Sequence, residues 1–163
     1  MTMHKVAVIY HSESGNTKAM AELIAQGAGA GGCEAKAMPI DKLDMPFIEA
    51  ARAVLFGTPT YYGTMSWQMK RLMDTQLPNL AGKLGAPFAS AAWPGGGGYE
   101  FAEMTLIAGM LIKGMLIYTG GVRAGHPGTH FGAVSFNAPK DLDAERCVKL
   151  GQNLAAKVNE LWP

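Results

Sequence analysis

Residues 12 to 17, Ser-Glu-Ser-Gly-Asn-Thr, place three hydroxyls, a side-chain amide and a glycine in six consecutive positions. Hydroxyls donate hydrogen bonds, and glycine lets the backbone come close to a ligand. A loop of this kind suits an anion rich in acceptor oxygens, and a phosphate is the common one. Lys5 to Tyr10, just before it, is a short apolar and β-branched run, the pattern of a buried strand. Met20, Leu23 and Ile24, just after it, recur at helical spacing. The first amides of a helix lack partners and carry partial positive charge, so an anion can sit there. The loop contains neither lysine nor arginine, which excludes the Gly-Lys-Ser/Thr loop that binds nucleoside triphosphates. It is not a G-x-G-x-x-G dinucleotide turn either. What remains is a neutral, hydroxyl-lined cup for one phosphate, built from Ser12, Glu13, Ser14, Gly15, Asn16 and Thr17. The plainer alternative, Ser14 or Asn16 acting simply as a helix cap, leaves the other hydroxyls without a purpose.

Two further stretches could contact a ligand. Thr58-Pro59-Thr60-Tyr61-Tyr62-Gly63 is expected to be a loop, continuing through Thr64 and Met65 to Ser66, a candidate helix cap. A flat, partly apolar ring could lie against Tyr61 or Tyr62 while the loop's amides bond its polar edge. The competing reading is an ordinary strand-to-helix turn with surface tyrosines. Pro94-Gly95-Gly96-Gly97-Gly98 is sharper, because ordering four consecutive glycines costs considerable entropy. Either the backbone there approaches a ligand closely or the stretch is a flexible tip. Trp93 and Tyr99 flank it; Trp93 could border a ring or belong to the core at a sheet end.

These stretches must be held by a scaffold, and strand and helix patterns alternate along the chain. Strands are expected at Lys5–Tyr10, Cys33–Met38, Ala53–Gly57, Pro87–Trp93 and Met115–Tyr118, with a last extended piece at Phe131–Phe136. Helices are expected after the first loop and ending at Gly27–Gly32, then briefly within 40–51, from Ser66 to about Gln76, over Glu100–Ile112, and from about Asp143 to Leu161. This alternation implies a parallel sheet with helices on both faces, in one domain over residues 1–163. In such sheets ligands bind beyond the carboxyl ends of the strands, so the loops after the first, third and fourth strands point at one pocket.

Composition narrows the function further. With 14 basic and 13 acidic residues, the chain offers no electrostatic case for nucleic acid or an anionic membrane. No apolar run reaches membrane-spanning length, and no signal core precedes the first strand, so a cytoplasmic protein is expected. Cys33 and Cys147 form no C-x-x-C pair and read as reduced core residues; no metal-ligand cluster is visible. No Ser-His-Asp or Cys-His arrangement has a defensible spacing, so no catalytic side chain is assigned. His11 either touches the phosphate or, the preferred reading, faces solvent. His130 is a weak candidate for the substrate side.

Ser12-x-Ser14-Gly15-Asn16-Thr17 resembles the flavodoxin signature, in which this loop holds the phosphate of FMN. The run from Gly57 to Lys70, Gly-Thr-Pro-Thr-Tyr-Tyr-Gly-Thr-Met-Ser-Trp-Gln-Met-Lys, is similar to the corresponding stretch of the tryptophan-repressor-binding-protein (WrbA) family. Gly95–Gly98 resembles that family's glycine triplet, Gly114-Met115 its Gly-Met strand start, and Gly128-Thr129-His130-Phe131-Gly132-Ala133 its Gly-Thr-Pro-Tyr-Gly-Ala. The similarity extends over essentially the whole chain. It implies a flavodoxin-like three-layer sandwich with a five-stranded parallel sheet in the order 2-1-3-4-5. It also implies FMN as cofactor, held by Ser12 to Thr17 at the phosphate, and by Thr58 to Gly63 and Trp93 to Gly98 around the isoalloxazine. By the same resemblance NAD(P)H is the electron donor, a small-molecule quinone the acceptor, and the protein a homo-oligomer, a dimer or tetramer. Two departures concern the active site: Lys113 stands where the family has a histidine, and the segment between Met73 and Lys83 is shorter and lacks a tryptophan.

Two functions compete. One is an FMN-dependent NAD(P)H dehydrogenase (quinone); the other is a flavodoxin-type carrier between protein redox partners. The balanced charge favours the enzyme, because flavodoxins as a family are strongly acidic, which suits docking to basic partners. Low charge content, 17%, likewise suits stable self-association better than transient docking.

Overall fold

The computed structural model describes residues 3–94 and 97–163. Strand β1 (Lys5–Tyr10) leads into helix α1 (Asn16–Ala30), and β2 (Glu34–Pro39) into the short α2 (Met45–Ala50). Strand β3 (Ala53–Tyr61) turns back through β4 (Thr64–Met65) into α3 (Trp67–Thr75), and β5 (Leu84–Ala91) precedes α4 (Tyr99–Ile112). Then come β6 (Leu116–Ile117), a 3-10 turn at Val122–Ala124, β7 (Ala133–Phe136) and α5 (Asp141–Leu161). The sheet runs β2-β1-β3-β5-β6, the expected order of parallel strands with helices on both faces.

Alternation along β1 explains the two layers of core. Val6, Val8 and Tyr10 face one way, toward Met20 and Ile24 of α1 and Leu150, Leu154 and Val158 of α5. Ala7 and Ile9 face the other way, toward α2, α3 and α4 through Phe47, Met69, Leu72, Leu106 and Met110. Both faces are covered, so the strand reads as a continuous apolar run. Cys33 and Cys147 are buried and unbridged, and burial raises the pKa of both thiols, that of Cys147 to about 12.

Several boundaries differ from expectation, for identifiable reasons. The sheet contains seven segments instead of five, because the fifth position is filled by two and the short β4 pairs antiparallel with the end of β3. Leu116–Ile117 pairs with Leu84–Gly85, and Ala133–Phe136 pairs with Phe88–Ala91. Pro87, which has no N–H to give, stands at the gap between those pairings, so β5 can begin at Leu84 and run through a proline. It also ends at Ala91, leaving Trp93 exposed and outside the core. Strand β3 continues past Gly57 to Tyr61, so Thr58 to Tyr61 is strand where a loop was expected. Beyond Gly57, β1 no longer runs beside β3, and Pro59 is tolerated there. Helix α1 runs through Gly27 to Ala30, three residues beyond the start of the glycines expected to end it. Helix α5 begins at Asp141, and β2 is shifted by one residue from the expected range. Among the described residues no helix is long and apolar enough to cross a membrane.

Candidate functional site

At the end of β1 the chain reaches Gly15, which at φ 93° is left-handed and forms the N-cap of α1. A β-carbon there would be strained, which is why glycine occupies the position. No side chain caps this helix, so neither Ser14 nor Asn16 plays that role. Ser12 Oγ accepts from the Gly15 amide at 3.2 Å, curling the loop. The first helical turn carries no acidic residue, and Glu13 and Ser14 are exposed. The turn thus offers uncommitted amides and hydroxyls to an anion, with no carboxylate in the helix's first turn. Thr17 is different: it is buried, and its hydroxyl shares a 2.8 Å hydrogen bond with Ser90 Oγ of β5. Ser90 ties the phosphate-type loop to the sheet, and nothing local in the sequence marks it, because it stands 73 positions away from Thr17.

The second stretch is a tight hairpin. Tyr61 pairs with Thr64 across a two-residue turn, Tyr62-Gly63, with φ of 48° and 78°. Both signs are those of a type I′ turn, which normally has Asn or Gly first. A tyrosine in the left-handed region is a local strain, and here its ring is fully exposed. Thr60 Oγ1 is buried with no hydrogen-bond partner. Thr58 is fully buried, and its hydroxyl accepts from the Ser66 amide at 2.9 Å and donates to the Pro59 carbonyl at 2.9 Å. That side chain holds the hairpin together.

Ser66 is indeed the cap of α3, accepting from the Met69 amide at 3.2 Å. The same hydroxyl shares a 2.8 Å hydrogen bond with His11 Nδ1. The other ring nitrogen, Nε2, lies on the side of Glu13 Oε1, 3.8 Å away. His11 is buried, in contrast to the solvent-facing position expected, with the edge of its ring against Tyr61 at 6.0 Å. Burial lowers its pKa and Glu13 partly opposes this, so His11 is neutral at pH 7. Glu13 also accepts from Gln68 Nε2 at 3.2 Å. Burial first, and then Glu13, raise the pKa of Tyr61. The first loop and the hairpin are thus clamped together by His11, Ser66, Glu13 and Gln68.

Of the third stretch, Gly95 and Gly96 lie outside the described residues. Gly98 is left-handed at φ 69° and is the N-cap of α4. A β-carbon on Gly98 would come 2.7 Å from Gly63 Cα, and one on Gly97 would come 2.5 Å from the Trp93 carbonyl oxygen. The glycine loop and the hairpin therefore meet backbone to backbone, which only glycines allow. Tyr62 and Trp93, both exposed, rise from the two converging stretches. An anion cup, an orphaned Thr60 hydroxyl and two aromatic rings beside a glycine contact fit a molecule with a phosphate and a flat, polar-edged ring.

A cavity of about 860 Å³ begins at Tyr61 and Tyr62 and runs between α3 and α4, past Trp67 and Met73 to Ile112 and Lys113. It does not extend over the phosphate-type loop. Lys113 lies in this groove, at the C-terminal end of α4. His130 is exposed and lines a separate cavity at the outer sheet edge, away from the hairpin.

A model of the flavodoxin family matches residues 8–109 of the chain. A flavodoxin from Clostridium saccharobutylicum is 38% identical over 160 residues, covering 97% of this chain and 99% of its own. An NAD(P)H dehydrogenase (quinone) from Archaeoglobus fulgidus is 32% identical over 197 residues, covering 98% of this chain and 100% of its own. The crystal structure of a flavodoxin, WrbA-like protein from Agrobacterium tumefaciens matches with a TM-score of 0.79 at 25% identity, over 96% of this chain and 98% of that one. The family implies FMN, a phosphate-bearing flat ring of the kind these residues fit. The chain belongs to the flavodoxin family, close to its WrbA-type members.

Proposed function

We propose that residues 1–163 form a single FMN-binding domain that passes two electrons from NAD(P)H to a small-molecule quinone in the cytoplasm. In this reading Ser12, Glu13, Ser14, Gly15, Asn16 and Thr17 surround the phosphate. Thr60, Tyr61, Tyr62 and Gly63 border one side of the isoalloxazine, and Trp93, Pro94 and Gly95 to Gly98 the other, while Thr58 and Pro59 support the hairpin. Bound there, the flavin supplies the redox chemistry, accepting hydride from the nicotinamide and reducing the quinone. The chain's own task is then to bind, orient and leave one face open. Tyr62 can lie against the ring; the Thr60 hydroxyl and the amides of the hairpin can bond its polar edge. His11, neutral and bonded to Ser66, acts as a brace with no proton to move.

The observation that carries the enzyme over the carrier is the apolar groove that opens at Tyr61 and Tyr62. It offers a small apolar acceptor a place beside the flavin loops, as ligand pockets do. The balance of 14 basic and 13 acidic residues supports the same reading. Exposed Phe101, Met104, Leu111 and Ile112 on α4 favour a homo-oligomer. The carrier reading draws its support from the 38% identical relative that is itself named a flavodoxin.

An anaerobic titration separates the two. The visible spectrum of the FMN-loaded protein is followed while NADPH, then NADH, then benzoquinone is added. The enzyme reading expects rapid bleaching by one nicotinamide and recovery with quinone. A yellow protein that neither nicotinamide bleaches identifies a carrier.

A further inference from the structure

The groove between α3 and α4 is larger than a single ring needs. Its volume, about 860 Å³, lies near the upper end for small-molecule sites. From the hairpin it runs along α3 from Trp67 to Asp74 and along α4 from Thr105 to Lys113. Thr105 to Ile112 covers about 10 Å of helix. An extended chain of about eight carbons has the same reach. Trp67 and Ile112, toward its two ends, are large apolar side chains 65% and 89% exposed, so the groove leaves apolar surface uncovered along its length.

The polar groups beyond the hairpin tyrosines are already committed. Lys70 Nζ donates to both oxygens of Asp74, at 2.7 and 2.6 Å. Thr64 Oγ1 donates to the Met65 carbonyl at 2.8 Å. Thr105 Oγ1 donates to the Ala102 carbonyl at 2.8 Å and accepts from the Met65 amide at 3.2 Å. Lys113 caps the C-terminal end of α4, where a cation is favoured and can keep its ammonium in water. These walls therefore complement an apolar chain. A glycine sets their separation. Gly109 lies within α4 and is not left-handed, although only proline is a poorer helix former. A β-carbon there would come 2.7 Å from Met73 Cε and 3.2 Å from its Sδ. Met73 lines the same groove, so glycine gives its flexible thioether room to lie against α4, and a side chain at 109 would displace it.

We propose that Gly109 and Met73 determine the specificity of this groove, giving it the depth for a ring compound that carries an uncharged, linear apolar side chain. The ring stays at Tyr61 and Tyr62, and the chain passes Trp67 and lies on Met73 and Gly109 toward Ile112. That this ligand is the electron acceptor rests on the function proposed above. Selection for side-chain length does not.

The test is a titration of the ¹⁵N-labelled, FMN-loaded full chain with phenol, para-propylphenol and para-hexylphenol. These take no electrons from a flavin, so binding is read whether or not the protein reduces a quinone. Amide shifts of Ala108, Gly109 and Ile112 are followed together with the Trp67 indole N–H. Affinity should rise about threefold per added carbon, and so about 25-fold from the propyl to the hexyl compound. Gly109→Leu should reduce that ratio to about threefold or less. Gly109→Ala, which favours the helix, should also reduce it, and adding Met73→Val, which removes the colliding atoms, should restore it. Equal affinity for the three phenols overturns the inference, as does the full ratio in Gly109→Leu or a double variant that restores nothing. Shifts at these amides that follow protein concentration and not the phenols overturn it too, and give the face to a second copy of the chain. A protein that neither nicotinamide bleaches but that keeps the ratio supports the specificity assignment and refutes the acceptor reading alone.

Discussion

Replacing Glu103 by glutamine should change how the stability of the fold depends on pH, and the size of the change follows from its burial. In the folded chain the carboxyl is buried on α4 and titrates at about 9; its ordinary value is 4.5. Between those values the native state holds a proton that the unfolded chain has released. Stability therefore falls as pH rises through this window, and levels off above about 9. One pKa unit corresponds to about 1.4 kcal/mol, so the group costs about 3 kcal/mol at pH 7 and about 6 kcal/mol once the native carboxyl is ionised. Glutamine has nearly the same shape and no charge to lose. Denaturant unfolding of wild type and Glu103→Gln at pH 5.5, 7 and 8.5, with the same FMN present throughout, reads the difference directly. The variant should gain on wild type by about 4 kcal/mol between pH 5.5 and 8.5. Because glutamine also buries an amide with few partners, its stability at pH 5.5 need not exceed that of wild type; the slope is the signal. Parallel pH profiles for the two proteins would refute the argument, since the carboxyl would then be solvated enough to ionise normally.

Gly98→Val puts side-chain atoms where the Gly63 backbone lies 2.7 Å away and forces a β-branched residue to φ 69°; FMN affinity, by fluorescence quenching, should drop at least about tenfold. Tyr62→Gly relieves a left-handed non-glycine and should raise stability by about 1 kcal/mol in denaturant unfolding while lowering FMN affinity, two effects of opposite sign in one variant. Ser66→Ala removes the α3 cap and the partner of buried His11 and should cost about 2 kcal/mol in thermal unfolding; Ser66→Thr, which keeps the hydroxyl, should cost less. Ser14→Asp sets a carboxylate in the loop that would take the phosphate and should weaken FMN binding, more at low salt than at high salt.

What could be read from the sequence was what is contiguous in it. The cup at Ser12 to Thr17 was visible because strand, glycine and helix follow one another within thirteen residues, and the left-handed Gly15 is the kind of residue such a turn demands. Its alternative, a side-chain cap, required only local geometry to exclude. The hairpin reads as loop in the sequence because a proline in a strand looks like a stop. Pro59 is acceptable only because β1 has ended beside it, a fact about a neighbour some fifty residues away. Pro87 conceals the start of β5 for the same reason, and the divided fifth position supplies the gap that accommodates it.

The side chains that were missed follow that rule as well. From the sequence His11 reads as a phosphate contact or a solvated residue; in the fold it is a brace because the hydroxyl of Ser66, 55 positions on, bonds its ring while capping α3. Thr58 reads from the sequence as a ligand contact, and the fold adds that its hydroxyl accepts from the same serine's backbone amide. Glu103 carries no local sign of burial at all. It occupies the fifth position of a helix whose neighbours Glu100, Phe101 and Met104 are exposed, and only β7, arriving with Gly132 thirty residues later, closes over it. A β-carbon at Gly132 would lie 2.0 Å from the Pro87 carbonyl and 2.6 Å from Glu103 Oε1. One glycine therefore lets the strand edge seal against both. Gly132→Ala should then open that edge, returning Glu103 toward its ordinary pKa while weakening the fold. A Glu103 titration unchanged in that variant, followed by the carboxyl ¹³C shift, would mean that some other contact excludes water from the carboxyl.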